Sequence, residues 1–145
     1  MFKHLLVPID GSPTSQLAVD KAIGLARAFS SAVSVLFVID PYPFAGVGAD
    51  FAYGQEQYMS AARAEANEAL AAARKAFEVA GVQVNASLVE AHMVWRGIVE
   101  AADAGGADLI VMGSHGRSGI EKMVLGSVAQ RVLSHARQPV LVVRT

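Results

Sequence analysis

Short apolar runs alternate with stretches of helical period along this chain, and that alternation constrains its fold more than any other feature. Leu5-Leu6-Val7-Pro8-Ile9 reads as a short buried strand that stops at Asp10-Gly11. Ser12-Pro13 then starts a helix, with Ser12 as N-cap and Pro13 at the first helical position. Ala18, Ala22, Leu25, Ala26 and Phe29 recur at helical spacing and give that helix one buried face. Val33 to Ile39 is apolar on both parities, which suits a strand covered on both faces. Pro41 to Gly54, rich in Pro, Gly and aromatics, has no period and reads as a long connection. A second helix is expected from about Glu56 to Ala80, with Gly81 as its stop. Val82, Val84, Ala86 and Leu88 alternate with Gln83, Asn85 and Ser87, the pattern of a half-exposed edge strand. Trp95 to Ala104 follows as a helix, Asp108 to Met112 as a strand, Ser127 to Ala136 as a helix and Pro139 to Val143 as a strand. Strand–helix–strand crossovers of this kind are right-handed and build a parallel sheet with helices on both faces. With no internal repeat or linker, residues 1–145 read as one α/β domain.

Composition narrows the function. Lys+Arg 12 against Asp+Glu 13 leaves a net charge of −1, so no basic field is available for a nucleic-acid backbone. The absence of cysteine excludes a disulfide scaffold, a thiol nucleophile and a Cys-ligated metal. Leu5 to Ile9 is too short for a signal h-region, and no apolar run reaches membrane-spanning length. The expected location is the cytoplasm, with no membrane partner.

The densest chemical signal lies between the fourth strand and the fourth helix. It reads Met112-Gly113-Ser114-His115-Gly116-Arg117-Ser118-Gly119, then Leu125-Gly126-Ser127-Val128. Glycines where a buried strand leaves the sheet let a backbone approach a ligand closely. A helix start adds unsatisfied amides and the positive end of the dipole, so the two together make an anion site. Ser127 is placed either to cap that helix or to donate to a phosphate oxygen. The established fingerprints do not fit. Leu125, not Lys, precedes Gly126-Ser127, so this is no P-loop. Gly46-x-Gly48 leads to Phe51 instead of a third glycine, and Ser118 lacks the hydrolase elbow around it.

The spacing Gly113-x2-Gly116-x9-Gly126-Ser127 resembles the ATP-binding signature of the universal stress protein family. The resemblance runs through the whole chain, from Leu6-Val7-Pro8-Ile9-Asp10-Gly11-Ser12 through Ala107 to Gly113 and the closing Pro139 to Val143. It implies an open five-stranded parallel sheet in the order 3-2-1-4-5, Rossmann-like and adenine nucleotide alpha hydrolase-like. In that order the first and fourth strands lie together at the topological switch point, where open α/β sheets bind ligands. Carried over position by position, Gly113, Gly116, Gly126 and Ser127 hold the ribose and phosphates, Val128 adds an amide, and Met112 belongs to the same cofactor-binding set. Asp10 matches the acid near the ribose and the Mg²⁺ or Mn²⁺ that accompanies ATP. Pro8 and Val38 match positions beside the adenine.

Several residues carry two readings. Asp10 also suits a turn or capping acid before the first helix. His115 is the one imidazole near the expected phosphates, yet it also reads as an exposed loop histidine. Arg117 and Lys122 either neutralise phosphate charge or are solvated. Tyr42, Phe44, Phe51 and Tyr53 form either a lid or a surface cluster. Trp95 reads as helix packing, and Glu90 with His92 as a solvated pair at a strand end. Without a cation clamp or paired carboxylates, the chain is expected to bind ATP as a regulatory protein and not as an enzyme. A slow ATPase or an adenylyl-transferring enzyme is the alternative. The last strand, apolar on both faces at Val140 to Val143, is expected to pair with a second copy as a homodimer.

Overall fold

Each central strand is apolar on both parities because each faces helices on two sides. The computed structural model describes residues 1–41, 49–116 and 125–145, and the side chains of all of these except 49–53. Its elements are β1 (His4–Ile9), α1 (Pro13–Phe29), β2 (Ala32–Ile39), α2 (Ala49–Val79), β3 (Val84–Glu90), α3 (Val94–Gly105), β4 (Leu109–Gly113), α4 (Ser127–His135) and β5 (Val140–Val143). All strand pairs are parallel and the order is β3-β2-β1-β4-β5, as expected. Leu5, Val7, Val33, Val35, Leu109 and Val111 join one core with Ala18 and Val19 of α1 and Leu70 and Phe77 of α2. Leu6, Leu36, Ile110 and Met112 join the other, against Ile98 and Ala102 of α3 and Ala129 and Val132 of α4. Trp95 packs α3 on α4 by stacking on His135, with ring centroids 4.2 Å apart. Among the described residues no helix is long and apolar enough to cross a membrane.

Most boundaries fall within one residue of the sequence reading; two starts differ by more, for physical reasons. Helix α2 starts at Ala49, well before Glu56, because helix propagation from the Ala- and Glu-rich run carries through Gly54. Strand β3 starts at Val84 and not Val82, because Val82 is spent on closing α2. Gly81 turns to a φ of 76°, and the Val82 N–H donates to the Phe77 carbonyl at 2.9 Å. The half-exposed pattern of β3 and its place at the sheet edge agree with the alternation. Ser12 caps α1 as read: its Oγ accepts from the Ser15 N–H at 3.2 Å, with Pro13 first in the helix.

Asp108 ties the start of β1 to β4. Its carboxylate accepts from the Lys3 N–H at 2.8 Å and the His4 N–H at 3.0 Å, while its own N–H donates to the His4 carbonyl at 2.9 Å. Burial pushes this carboxyl upward, but the backbone donors outweigh burial and hold its pKa below the ordinary 3.8. A depressed folded-state value means the contribution is complete above 3.8 and is lost as pH falls through the lower folded value. Asp108→Ala is therefore expected to cost about 1–2 kcal/mol at neutral pH. Urea unfolding of parent and variant over a descending pH series checks this, with the gap narrowing once pH passes below 3.8.

Candidate functional site

The sheet opens where β1 has no hydrogen bond to give. The Lys3 carbonyl accepts from Ala32 of β2, and the His4 carbonyl accepts from Asp108 on the β4 side. In a parallel ladder the direction alternates, so Leu6 and Pro8 also face β4. Pro8 lacks an N–H and cannot extend that ladder. Pairing of β1 with β4 ends at Leu6↔Ile110, whereas pairing with β2 runs on to Ile9↔Phe37. Beyond this point α1 leaves toward one face and α4 toward the other. The result is a cleft of about 340 Å³ at the carboxyl ends of β1 and β4.

Eight of the nine residues expected at a ligand site border this cleft: Pro8, Asp10, Met112, Gly113, Gly116, Gly126, Ser127 and Val128. Val38 does not. Its side chain is only 7 % exposed and lies under α3, where a Cβ on Gly97 would come within 2.9 Å of Val38 Cγ1. Only the Val38 backbone is left to serve a ligand. The cleft also takes Val94 and Ile98 from α3, which the sequence reading missed. Their signal was an apolar pair four residues apart at the start of a helix, with nothing local to say what the pair faces.

The three glycines are glycines for three different reasons. A Cβ on Gly113 would lie 2.9 Å from Thr14 Cγ2 and 3.0 Å from its backbone carbonyl, so this glycine lets α1 close on β4. A Cβ on Gly126 would lie 3.1 Å from the Ser114 carbonyl oxygen, which accepts the Gly126 N–H at 2.6 Å. Among the described residues, a Cβ on Gly116 would meet only the Asp10 carboxylate, 2.6 Å from Oδ2. Gly113 and Gly126 thus build the loop, and Gly116 keeps open the space in front of Asp10.

Gly126, not Ser127, is the N-cap of α4, and no side chain caps this helix. The capping role read for Ser127 is corrected: Ser127 is the first helical residue and is exposed. The first hydrogen bond of the helix runs from Gln130 N–H to the Gly126 carbonyl. The amides of Ser127, Val128 and Ala129 come before it, on residues that border the cleft. The turn reading of Asp10 holds. Oδ1 accepts from the Ser12 N–H at 2.9 Å in the turn, while Oδ2 lies toward Gly116. His115 borders the cleft with Nδ1 at 2.9 Å from the hydroxyl of Ser114, itself only 2 % exposed.

Glu90 and His92 are both exposed, as read from sequence, and each faces a partner on another element. Glu90 forms an ion pair with Arg63 of α2 at 2.8 Å, and His92 Nδ1 lies 3.7 Å from Asp40 Oδ1. Both partners come from distant parts of the chain. Among the described residues no three His, Asp or Glu side chains gather as a metal-binding group. Tyr42, Phe44, Arg117, Gly119 and Lys122, with the side chains of Phe51 and Tyr53, lie outside the described residues.

An open parallel sheet with its cleft at the switch point defines a class of α/β domain that takes ligands on loops at the strand ends. Within that class the chain belongs to the universal stress protein family, whose sequence model matches residues 1–144. Universal stress protein MJ0531 of Methanocaldococcus jannaschii is 38 % identical over 144 residues, covering 99 % of this chain and 83 % of that protein. The solved structure of MJ0577, from the same organism, has a TM-score of 0.87 at 28 % identity and covers 100 % of this chain and 97 % of that one. A solved universal stress protein in complex with cAMP has a TM-score of 0.69 at 26 % identity, covering 99 % and 96 %.

The different surroundings of the glycines separate packing from site. Gly113→Ala forces α1 away from β4 and is expected to lower stability by about 1–3 kcal/mol. Gly116→Ala displaces only the end of a side chain and is expected to leave stability within about 0.5 kcal/mol of the parent. Thermal unfolding of the two variants measures the difference.

Proposed function

We propose that the chain binds ATP together with Mg²⁺ or Mn²⁺ in this cleft, and acts by holding the nucleotide and passing on its bound state. The observation that carries the reading is the convergence of Gly116, Asp10 Oδ2 and the uncapped start of α4 on one space. The amides at the helix start suit phosphate oxygens. Pro8, Met112, Val94, Ile98 and Val128 supply apolar surface for a flat base. The Val38 backbone suits the base edge. Ala32 N–H bonds toward β1 and Ile39 carbonyl toward β3, so the alternation turns Val38 toward β1, just past the last β1 rung at Ile9. The solved relative in complex with cAMP supports an adenine nucleotide as the ligand class.

The metal reading fits the residues present. Magnesium is commonly held by one or two carboxylates plus phosphate oxygens, and Asp10 offers one oxygen at the right end of the cleft. The ion neutralises phosphate charge when bound. Asp10 orients it, and the turn bond to Ser12 holds Asp10 in place.

Holding is favoured over turnover because no lysine precedes Gly126-Ser127, and His115 is the one imidazole bordering the cleft among the described residues. Calorimetric titration with Mg-ATP is expected to give one site per chain. Gly116→Val, which puts a branched side chain into the space before Asp10, is expected to weaken it at least tenfold, or ~1.4 kcal/mol. Steady hydrolysis far below the enzyme median of about 10 s⁻¹ is expected in the same samples. Turnover near that median, lost in His115→Ala, supports the enzyme reading instead.

Assembly is the proposed output. Strand β5 is an edge with Leu141 40 % exposed. The carbonyls of Pro139 and Val143 accept from β4 and its exit, so Val140 and Val142 turn their backbone groups outward. A second copy related by a two-fold axis can pair with these groups through residues 139–143 and close as a homodimer. Val142→Pro removes an outward donor and spares the β4 ladder. It is expected to convert a dimer to monomer in light scattering; a parent that is monomeric at micromolar concentration contradicts the pairing.

A further inference from the structure

Of the described residues, three that are not glycine have positive φ, Phe2, Ser30 and Met93, and Met93 is unlike Ser30. Ser30, at φ 55° and ψ 44°, sits in the ordinary left-handed well that ends a helix. Met93 has φ 68° with ψ 112°, outside that well, at the N-cap of α3 and with no side-chain cap. A conformation of this kind persists only where the surroundings over-determine it. Two bonds do so. The Met93 N–H donates to Asp40 Oδ2 at 3.1 Å, and the Met93 carbonyl accepts from Arg96 and Gly97 as the first acceptor of the helix.

The clamp joins two walls of the cleft. Asp40 directly follows β2, two residues beyond Val38. Val94 directly follows Met93, and Ile98 lies one turn further; both border the cleft. The final β2–β3 rung, Ala91 N–H to the Ile39 carbonyl at 3.0 Å, lies beside the clamp. One turn into α3, Gly97 rests on Val38 with no room for a Cβ. The start of α3 is therefore pinned to the end of β2 by a charge-assisted bond, a ladder bond and a glycine contact within a short distance. The charge-assisted one is the strongest kind of the three.

We propose that Asp40 is a positioning residue for the base of the nucleotide: by holding Met93 in its strained turn, it fixes the gap between the Val38 backbone and the Val94–Ile98 wall. The proposal rests on the nucleotide reading above. Asp40 touches neither phosphate nor metal in this account. Its effect falls on the base end alone, which distinguishes positioning from a general structural role.

Calorimetry on the full chain with two probes, Mg-ATP and Mg-tripolyphosphate, tests it. Asp40→Ala is expected to weaken Mg-ATP about tenfold, the scale of one charge-assisted hydrogen bond, and to leave Mg-tripolyphosphate unchanged. Asp40→Asn keeps an acceptor for the Met93 N–H and is expected to stay within about threefold of the parent. Met93→Gly in the Asp40→Ala background is expected to restore most of the ATP affinity, because glycine enters positive φ without a clamp. Asp40→Ala binding Mg-ATP as the parent does overturns the proposal. So does equal loss of both probes, or failure of Met93→Gly to rescue. A parent that binds neither probe overturns the nucleotide reading itself.

Discussion

One missing hydrogen bond organises this molecule. Pro8 stands in the middle strand of a parallel sheet, facing β4, with no N–H to offer it. Proline at such a position forfeits a ladder bond and is rare in central strands. Here the loss is offset by the burial of Leu5, Leu6 and Val7 between two helical layers. What the sheet gains is a parting of β1 from β4 at their carboxyl ends, where the chain order already sends α1 and α4 to opposite faces. Loop glycines and an uncapped helix start then border that parting instead of being covered by a continuous ladder.

The loop around the cleft is held from three directions, and Ser114 is the point where they meet. Its N–H donates to the Val143 carbonyl of β5 at 2.8 Å, its carbonyl takes the Gly126 N–H, and its hydroxyl lies on His115 Nδ1. One buried residue therefore links the cleft, the start of α4 and the edge strand. In the proposed function this is the physical route by which an occupied cleft and a paired edge act on each other, with the reciprocity that any linkage between two binding events requires. Gly113 and Gly126 serve this framework through close packing. Gly116 instead lies against the Asp10 carboxylate, where a Cβ would meet Oδ2.

Much of this was legible in the sequence because the signals were local. Apolar runs on both parities required a sheet buried on two sides. Ser12-Pro13 fixed a helix start, and the glycine spacing marked the loop. What escaped was set by contacts distant in sequence. The covering of the Val38 side chain by Gly97 of α3 is one such contact, and it leaves the expectation for the Val38 backbone untouched. Val94 and Ile98 carry an ordinary apolar pattern, and only the crossover brings them to the cleft. Glu90 and His92 are solvated as read, but their partners, Arg63 and Asp40, come from other elements and leave no local signal. The start of α2 escaped for another reason: Gly54 and the aromatic residues before it hide a helix driven from its C-terminal side.

The central claim is a location: nucleotide at the parting of β1 and β4. Amide-resolved NMR titration of the parent chain with Mg-ATP tests it most directly. The account predicts saturable shifts concentrated at Gly116, Ser127, Val128, Ala129 and Val38, with the amides of α2 beyond Leu70 unmoved. Saturable shifts confined to other surfaces, or none at millimolar Mg-ATP, contradict it.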